Sequence, residues 1–441
     1  MKKAVLKFGG GQTKNADSIR NAAQTVKNFV EKYEPEQTIV VVSGPGKIGK
    51  EFEENKFTDL GENIFHGNCP EKSRNAIIER TKELSKNLGV KFPKELFSGL
   101  ENLVSDESDK DYARIVSFGE RLSVYFATNE IKKIFRNVSS FDFNNFGMET
   151  SEYRNASVTE KALIDINNTF QGKKGIFVVP GFIGHHKDSG EVTTLGRDGS
   201  SYSATKIAEA VDADVVYVFS DKPGVMRADP KFVQDAEILK ELSYEEAIEY
   251  AELGAKIIYS RAVYPAKNQN IPIYITDETF EGTRISSLVS LENQGVKIIA
   301  SSPDHSIATI SYIEDKPGVL EEISRYFRDA KINIEAITDE RHSIGLAFQE
   351  NGGDFGKLLK NIGKNYHYIL ENSFARISVI GEGMKNQFGL LGKVADSFGR
   401  KGISVAMIGQ TPNQRNMTFF INGEYERMAV NAIYDDLFRN R

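Results

Sequence analysis

The order of apolar and polar positions divides the chain into two regimes. Through the first two thirds, short apolar runs alternate with stretches in which apolar residues return at helical spacing. Ala4–Phe8 reads as a strand running into Gly9-Gly10-Gly11. Ile19, Ala22, Ala23, Val26, Phe29 and Val30 then line one face of a helix. Thr38–Ser43 is a second strand, followed by a polar segment to about Ser73 and by helical patterns through Leu103 and around Arg121–Ile134. Gly175–Gly184 (GIFVVPGFIG), Asp214–Phe219 (DVVYVF) and Ile271–Thr276 (IPIYIT) read as further strands, and Ser243 with Glu246 forms a capping box before a helix that Gly254 ends. Continuous apolar strands separated by helices predict an α/β fold with a mostly parallel sheet covered by helices on both faces.

From about Val296 the strands instead alternate apolar and polar residues, and a repeat appears. The stretch IATISYIEDKPGVLEEISRYFRDAKINIEAI is followed by ARISVIGEGMKNQFGLLGKVADSFGRKGISVAMI. Gly318 and Gly389 stand 71 positions apart, as do Ile332 and Ile403 (389 − 318 and 403 − 332). Each copy reads strand, Gly-started helix, strand, strand, helix, strand, which is a small α+β module present twice. Two such modules behind an α/β domain suggest ligand sensing or dimerisation; a purely structural dimer module is the alternative. The expected domains are residues 1–290, 300–370 and 371–441, with 291–303 as a segment that could complete the last.

Composition narrows the function classes. At 441 residues the chain is long enough for two to four domains. Its net charge of −6 is spread without a basic stripe, which argues against nucleic acid or an anionic membrane as partner. A single cysteine, Cys69, excludes an intramolecular disulfide framework and a thiolate metal cluster. Cys69 lies beside Pro70 without an evident base and reads as a structural thiol. MKKAVLKFGGG lacks an apolar run of signal-peptide length, and no 18-residue apolar stretch exists, so a cytoplasmic protein is expected.

Three stretches carry candidate chemistry. In SGPGKIGKE, Gly44, Gly49 and Lys50 have the spacing of a phosphate-binding loop. Yet Glu51 stands where a magnesium-binding hydroxyl is needed, and Pro45 removes an amide from the nest. A plain strand-to-helix turn and a substrate-side loop of another kinase fold remain as readings. Lys7 followed by Gly9 and Gly10, at a strand end before a helix, could neutralise a transferring phosphoryl group. In VVPGFIGHHKDSGEVTTLGRDGSSYSAT, Arg197 offers a fork for a carboxylate, with Gly199, Ser200 and Ser201 beside it leading into a helix. Ser220-Asp221-Lys222-Pro223-Gly224-Val225 and the Asp229-Pro230 loop suit a ribose or base pocket. His185 and His186 read as a loop pair, not as metal ligands.

In order and spacing, KFGG at 7–10, VVVS at 40–43, SFGERLS at 117–123, PGFIG at 180–184, TTLGRDGSSYSA at 193–204, SDKPGVMRADP at 220–230, LSYEEA at 242–247, GAKIIYSRAV at 254–263 and EGTRI at 281–285 resemble the aspartokinases of the amino-acid kinase superfamily. The repeated module resembles a tandem pair of ACT domains, which are ferredoxin-like. The resemblance covers nearly the whole chain. It implies phosphorylation of the β-carboxylate of L-aspartate with ATP and Mg²⁺, by an enzyme without a Walker loop. It also implies that Lys7, Gly9 and Gly10 meet the transferring phosphoryl group, and that Ser43, Gly44, Glu120, Arg197, Gly199, Ser200 and Ser201 hold the amino acid. Arg197 would take its α-carboxylate. Lys7, Ser220, Asp221, Gly224, Val225, Arg227, Asp229, Pro230 and Lys256 would bind ATP. Asp315, Pro317, Gly318, Asn333 and Ile334 match the region where an amino-acid effector, lysine or threonine, sits between paired ACT domains in a homodimer or larger homo-oligomer.

The sequence departs from that pattern at several points. Gly11-Gln12 replace a hydroxyl pair, Ser201 stands where the acidic residue expected to meet the substrate ammonium belongs, with Asp198 three positions earlier as the candidate substitute, Tyr259-Ser260 replace His-Pro, and Phe388 replaces a proline. Gln12 and Ser201 favour a paralogous kinase with another carboxylate substrate as the first rival reading. A weakly catalytic, amino-acid-binding regulatory subunit is the second.

Overall fold

The computed structural model describes residues 1–97, 108–254, 258–287, 294–311, 313, 318–349 and 353–439. By its internal contacts the chain divides into two compact units. The first comprises Met1–Val225, Ile238–Ile248 and Ile257–Leu288; the second comprises Met226–Glu237, Glu249–Lys256 and Val289–Arg441.

The first unit contains strands β1 (Lys3–Phe8), β2 (Gln37–Val42), β3 (Val138–Ser140), β4 (Glu149–Thr150), β5 (Gly175–Pro180), β6 (Ile183–His186), β7 (Val192–Thr194), β8 (Val215–Phe219), β9 (Glu241–Ser243), β10 (Ile273–Thr276) and β11 (Gly282–Ser286). Eight of them form one sheet in the order β3-β5-β2-β1-β8-β10-β11-β9. Every neighbouring pair in it is parallel except β10 with β11. All six residues of β2 and the last five of β1 are buried, as strands covered on both faces require. The helix Ala16–Tyr33 turns Ile19, Ala22, Ala23, Val26 and Phe29 into the core, and Asn15 caps its start through the Ser18 amide. The register sets Phe8 level with Val42 and Phe219, Val42 with Pro180, and Phe219 with Thr276. The loops leaving these strands therefore open along one edge, the edge at which open parallel sheets gather ligands.

Local corrections to the sequence reading have simple causes. The segment read as polar up to Ser73 contains a helix, Phe57–Phe65, which buries Phe57, Leu60, Gly61, Ile64 and Phe65. Its apolar face was thinned by the charged residues between them. Gly175–Gly184 breaks into β5 and β6 at Phe182, whose φ is +66°. His185 and His186 end β6; His186 stacks on Tyr153 with ring centroids 4.5 Å apart. Among the described residues no cluster of His, Cys, Asp and Glu is placed to hold a metal. Cys69 is exposed, in a left-handed cap before the helix Pro70–Leu88, so it is not a packed structural thiol. Ser243 and Glu246 form the reciprocal capping box at 2.8 and 3.0 Å. No described helix is long and apolar enough to cross a membrane.

The second unit holds β12 (Ile298–Ser311), β13 (Ile334–Glu340), β14 (Ser343–Gln349), β15 (His367–Ile380), β16 (Val405–Gln410) and β17 (Asn416–Asn422) in one sheet of order β13-β14-β12-β15-β17-β16. The two modules interlock. His305–Ser311 of β12 pairs with β14 in the first, whereas Ile298–Ser302 pairs with Arg376–Ile380 of β15 beside β17 in the second. The fourth strand of the second module thus comes from the chain ahead of the first. After the helix Glu426–Tyr434 the chain makes a turn of π-helix, Asp435–Arg439, where the repeat predicted a strand. His305, buried at the bulge between the two halves of β12, bonds Glu335 Oε2 at 2.7 Å, and Arg376 pairs with the same oxygen. Burial pushes the Glu335 carboxyl up, but these two partners outweigh it and hold it below its ordinary value.

Candidate active site

The site is built where β1 and β2 end. Gly10–Thr13 makes one short turn after β1. There the Thr13 hydroxyl donates to the Ser43 carbonyl at 3.0 Å, and the Gly46 N–H donates to the Gly10 carbonyl at 2.9 Å. A Cβ on Gly46 would stand 2.5 Å from that carbonyl, and one on Gly10 would stand 3.1 Å from the Gly44 carbonyl. The two loops therefore touch backbone to backbone, which only glycine permits at these positions. The Ile48 N–H bonds the Glu54 carbonyl, the Glu51 N–H bonds Glu54 Oε2 at 3.0 Å, and Lys50 is exposed. No helix begins there; the chain enters the short turn Phe52–Glu54. SGPGKIGKE is a packing loop, and the phosphate-loop reading is dropped.

The same loop receives Glu120, from the helix Phe118–Lys132. The Gly44 N–H donates to Glu120 Oε1 at 3.0 Å. The side chain is only 3% exposed, and Oε2 is buried without a partner. Loss of water raises its pKa to about 8, against the lesser pull of the Gly44 and its own backbone amides. A buried carboxylate with one free oxygen is an acceptor built for a cation.

Lys7, near the end of β1, is also buried. Burial lowers its pKa, and the charge of Asp198 acts in the opposite direction. Asp198 precedes the helix Gly199–Val211 with φ at +53° and makes no side-chain cap to it. Instead it accepts from the Ser201 hydroxyl at 2.8 Å and from the Tyr259 N–H at 3.2 Å. Arg197 is exposed, with its guanidinium 4.7 Å over the Tyr259 ring. Arg261 steadies this turn by donating to the Leu195 carbonyl at 2.9 Å and lying over Tyr202. Gly199 and Ser200 begin the helix against Phe182 and Gly181, where a Cβ on Gly181 would meet Ser200 at 2.7 Å.

On the other side of β1, Gln12 joins the loops: the Gly9 N–H donates to its Oε1 at 3.0 Å, and its Nε2 donates to Asp221 Oδ1 at 2.8 Å. A Cβ on Gly11 would lie 2.6 Å from the Asp221 carboxylate. Ser220 follows β8 and bridges Lys222, while the Val225 N–H donates to Thr283 Oγ1 at 2.8 Å and Gly224 packs against Thr283 and Ile238.

Other expected residues fall in the second unit or outside the described residues. Arg227, Asp229 and Pro230 belong to the second unit, where Ala228, Val233 and Ala236 enter the core of the C-terminal module. Arg227 pairs with Glu237 at 2.9 Å and lies over Phe438, and Asp229 caps its own turn through the Lys231 N–H. Their side chains are thus engaged within that unit. Lys256, Asp315 and Pro317 lie outside the described residues. Gly318, with φ +93°, starts the helix Val319–Asp329; Asn333 is exposed, and Ile334 opens β13. Thr13 is the residue of this cluster that the sequence reading did not single out; Asp198 and Tyr259 were noted there only as departures from the family pattern.

A parallel sheet with glycine loops, a buried lysine and an unpartnered carboxylate at its ligand edge is consistent with phosphoryl transfer to a small acid. The family model described as "Amino acid kinase family" matches residues 2–277, and the chain belongs to that family. An ACT domain model matches residues 377–437. Among curated relatives, the chain is 27% identical to aspartokinase 3 of Bacillus subtilis, with 98% of each chain covered. It is 25% identical to the chloroplastic aspartokinase 2 of Arabidopsis thaliana, covering 98% of this chain and 84% of the relative. Among solved structures, E. coli aspartokinase III in complex with aspartate and ADP superposes with a TM-score of 0.81 at 22% identity, covering 99% of this chain and all of that one. The same enzyme in complex with lysine and aspartate gives 0.78 at 22% identity, with 99% and 100% covered.

Proposed function

We propose that this chain is an aspartate kinase, transferring the γ-phosphoryl group of ATP to the β-carboxylate of L-aspartate to give 4-phospho-L-aspartate. The observation that carries this reading is Glu120, whose buried second oxygen waits for a cation at the loop that packs on the glycines of β1. In this reading Glu120 takes the substrate's ammonium, and Arg197 its α-carboxylate as a bidentate fork. Ser43 and Gly44 form the wall of the pocket, and Gly199, Ser200 and Ser201 its floor.

A β-carboxylate oxygen forms the new bond to the γ-phosphorus while the bond from that phosphorus to the β,γ-bridging oxygen breaks and ADP leaves. The acceptor is already ionised at neutral pH, so the step needs no general base. Lys7, with Gly9 and Gly10 giving the phosphoryl group room, neutralises charge on the equatorial oxygens, and catalysis is mainly positioning and electrostatics. Ser220, Asp221, Gly224 and Val225 hold the nucleotide. With no described cluster to hold a metal, Mg²⁺ would arrive on the ATP phosphates and need few protein ligands, Asp221 being the acidic side chain nearest the glycine loop. Bound there, it would screen phosphate charge.

The relative solved with lysine supports an amino-acid effector, lysine or threonine, at the C-terminal modules in a homodimer or larger assembly; Gly318, Asn333 and Ile334 belong to that proposal. Product formation in a hydroxamate assay with ATP and Mg²⁺ tests the substrate. Turnover with glutamate or aminoadipate but not aspartate would overturn the assignment and favour the paralogous kinase, the reading to which Ser201 points. Saturable amino-acid binding without any turnover would favour a regulatory subunit.

A further inference from the structure

Gln12 joins the glycine loop of β1 to the loop after β8, and it uses both ends of its amide to do so. The Gly9 N–H donates to its Oε1 at 3.0 Å, and its Nε2 donates to Asp221 Oδ1 at 2.8 Å. An N–H needs an oxygen and a carboxylate needs a donor, so these two partners admit only this orientation of the amide. A Cβ on Gly9 would meet Gln12 Oε1 at 3.2 Å and Lys7 Nζ at 3.4 Å. A carbonyl oxygen and an ammonium therefore converge on one face of Gly9, beside its N–H. Lys7 is only 9% exposed, and among the described residues its ammonium has no hydrogen bond or ion pair. A buried amino group in that position calls for an acceptor.

We propose that Gln12 Oε1 holds the place of a γ-phosphoryl oxygen on the Gly9 N–H and that ATP displaces it, which makes Gln12 the residue that sets the affinity for the γ-phosphoryl group. The side-chain amide and the phosphoryl oxygen compete for one donor, and an anionic oxygen beside Lys7 is the stronger acceptor. Asp221 strengthens the hold of the amide by fixing its other end. Triphosphate binding must break both of these bonds, so the affinity for ATP is lower than the loop and Lys7 alone would give. ADP has no γ-phosphoryl group to claim the Gly9 N–H and leaves the amide in place. Gln12 thus weakens the triphosphate and spares the diphosphate.

The proposal rests on the reading of the β1 glycine loop as the place of the transferring phosphoryl group, and its test separates the two. Binding of ADP and of AMPPNP, a non-hydrolysable triphosphate, is measured by titration calorimetry with Mg²⁺ for wild type, Gln12→Ala and Gln12→Glu. Thermal unfolding first verifies that each variant is folded. Removing a competing hydrogen bond predicts that Gln12→Ala binds AMPPNP at least about threefold more tightly, with ADP within about twofold of wild type. Glutamate keeps the contact to Gly9 and puts an anion where the γ-phosphoryl group belongs. Gln12→Glu should therefore weaken AMPPNP at least about tenfold and ADP by less than about threefold. A smaller gain in Gln12→Ala, or any loss, overturns the proposal, and so does an equal gain for both nucleotides. A loss for both is what a mere cap on the turn Gly10–Thr13 would give, because truncation would loosen the loop. A smaller loss of AMPPNP binding in Gln12→Glu overturns it as well, and this arm decides the matter even where the alanine variant fails to fold. Failure of the wild type to bind either nucleotide would strike the proposed function instead.

Discussion

Replacing Glu120 by glutamine separates what this carboxyl costs the fold from what it does for the substrate. Its pKa is raised from 4.5 to about 8 by burial, so the folded protein keeps a proton that the unfolded chain has lost throughout that window. A folded state binding more protons than the unfolded one loses stability as pH rises, by about 1.4 kcal/mol per unit, until the group ionises in both states above about pH 8. Across the whole shift this amounts to roughly 5 kcal/mol, and between pH 5 and 8 to about 4 kcal/mol. Glu120→Gln keeps the shape and the Gly44 contact, and it has no proton to lose. The stability difference between variant and wild type, from urea unfolding of the ligand-free proteins, should therefore widen by about 4 kcal/mol in favour of the variant from pH 5 to pH 8. Activity should move the other way. In the wild type aspartate binding expels the Glu120 proton, so its KM should fall towards pH 8, whereas in the variant KM should be about ten- to a hundredfold higher and lack that slope. A stability difference that stays constant across this range would show that Glu120 is already ionised in the fold and would refute the reasoning.

Other substitutions test the remaining parts. Lys7→Ala should lower kcat at least about a hundredfold, whereas Lys50→Ala, at an exposed position, should leave kcat within about twofold, as is usual for surface changes; equal losses would revive the phosphate-loop reading. Arg197→Ala should raise the aspartate KM by about ten- to a hundredfold with little change in the ATP KM. Gly46→Ala forces a Cβ to 2.5 Å from the Gly10 carbonyl and should lower both stability and kcat; a variant as stable and active as wild type would show that the loops need not touch. In the second unit, Arg376→Met leaves Glu335 with His305 alone and should destabilise the protein by about 3–5 kcal/mol in urea unfolding.

The chain's own pattern determined a good deal. Unbroken apolar strands and the 3.6-residue period of Ile19–Val30 carried the covered parallel sheet, because burial on both faces leaves no polar alternation. Lys7, Glu120 and Arg197 stood in recognisable stretches, and the repeat carried the two modules. Tertiary structure decided the rest, since each remaining feature depends on groups distant in the chain. Glu120 keeps one oxygen unmatched because its partner, the Gly44 amide, arrives from another loop and meets only the other oxygen. Asp198 takes hydrogen bonds from Ser201 and from Tyr259, the latter 61 positions away, at a left-handed residue that turns the chain into the helix, a backbone choice that an aspartate does not announce. The fourth strand of the last module comes from Ile298–Ser302, ahead of the first module, because a sheet edge takes whichever strand satisfies its hydrogen bonds. SGPGKIGKE carries phosphate-loop spacing, yet its glycines serve close contact between backbones and its lysine is left in solvent. Spacing along the chain specifies which groups are available; which of them meet is set by the packing that brings them together.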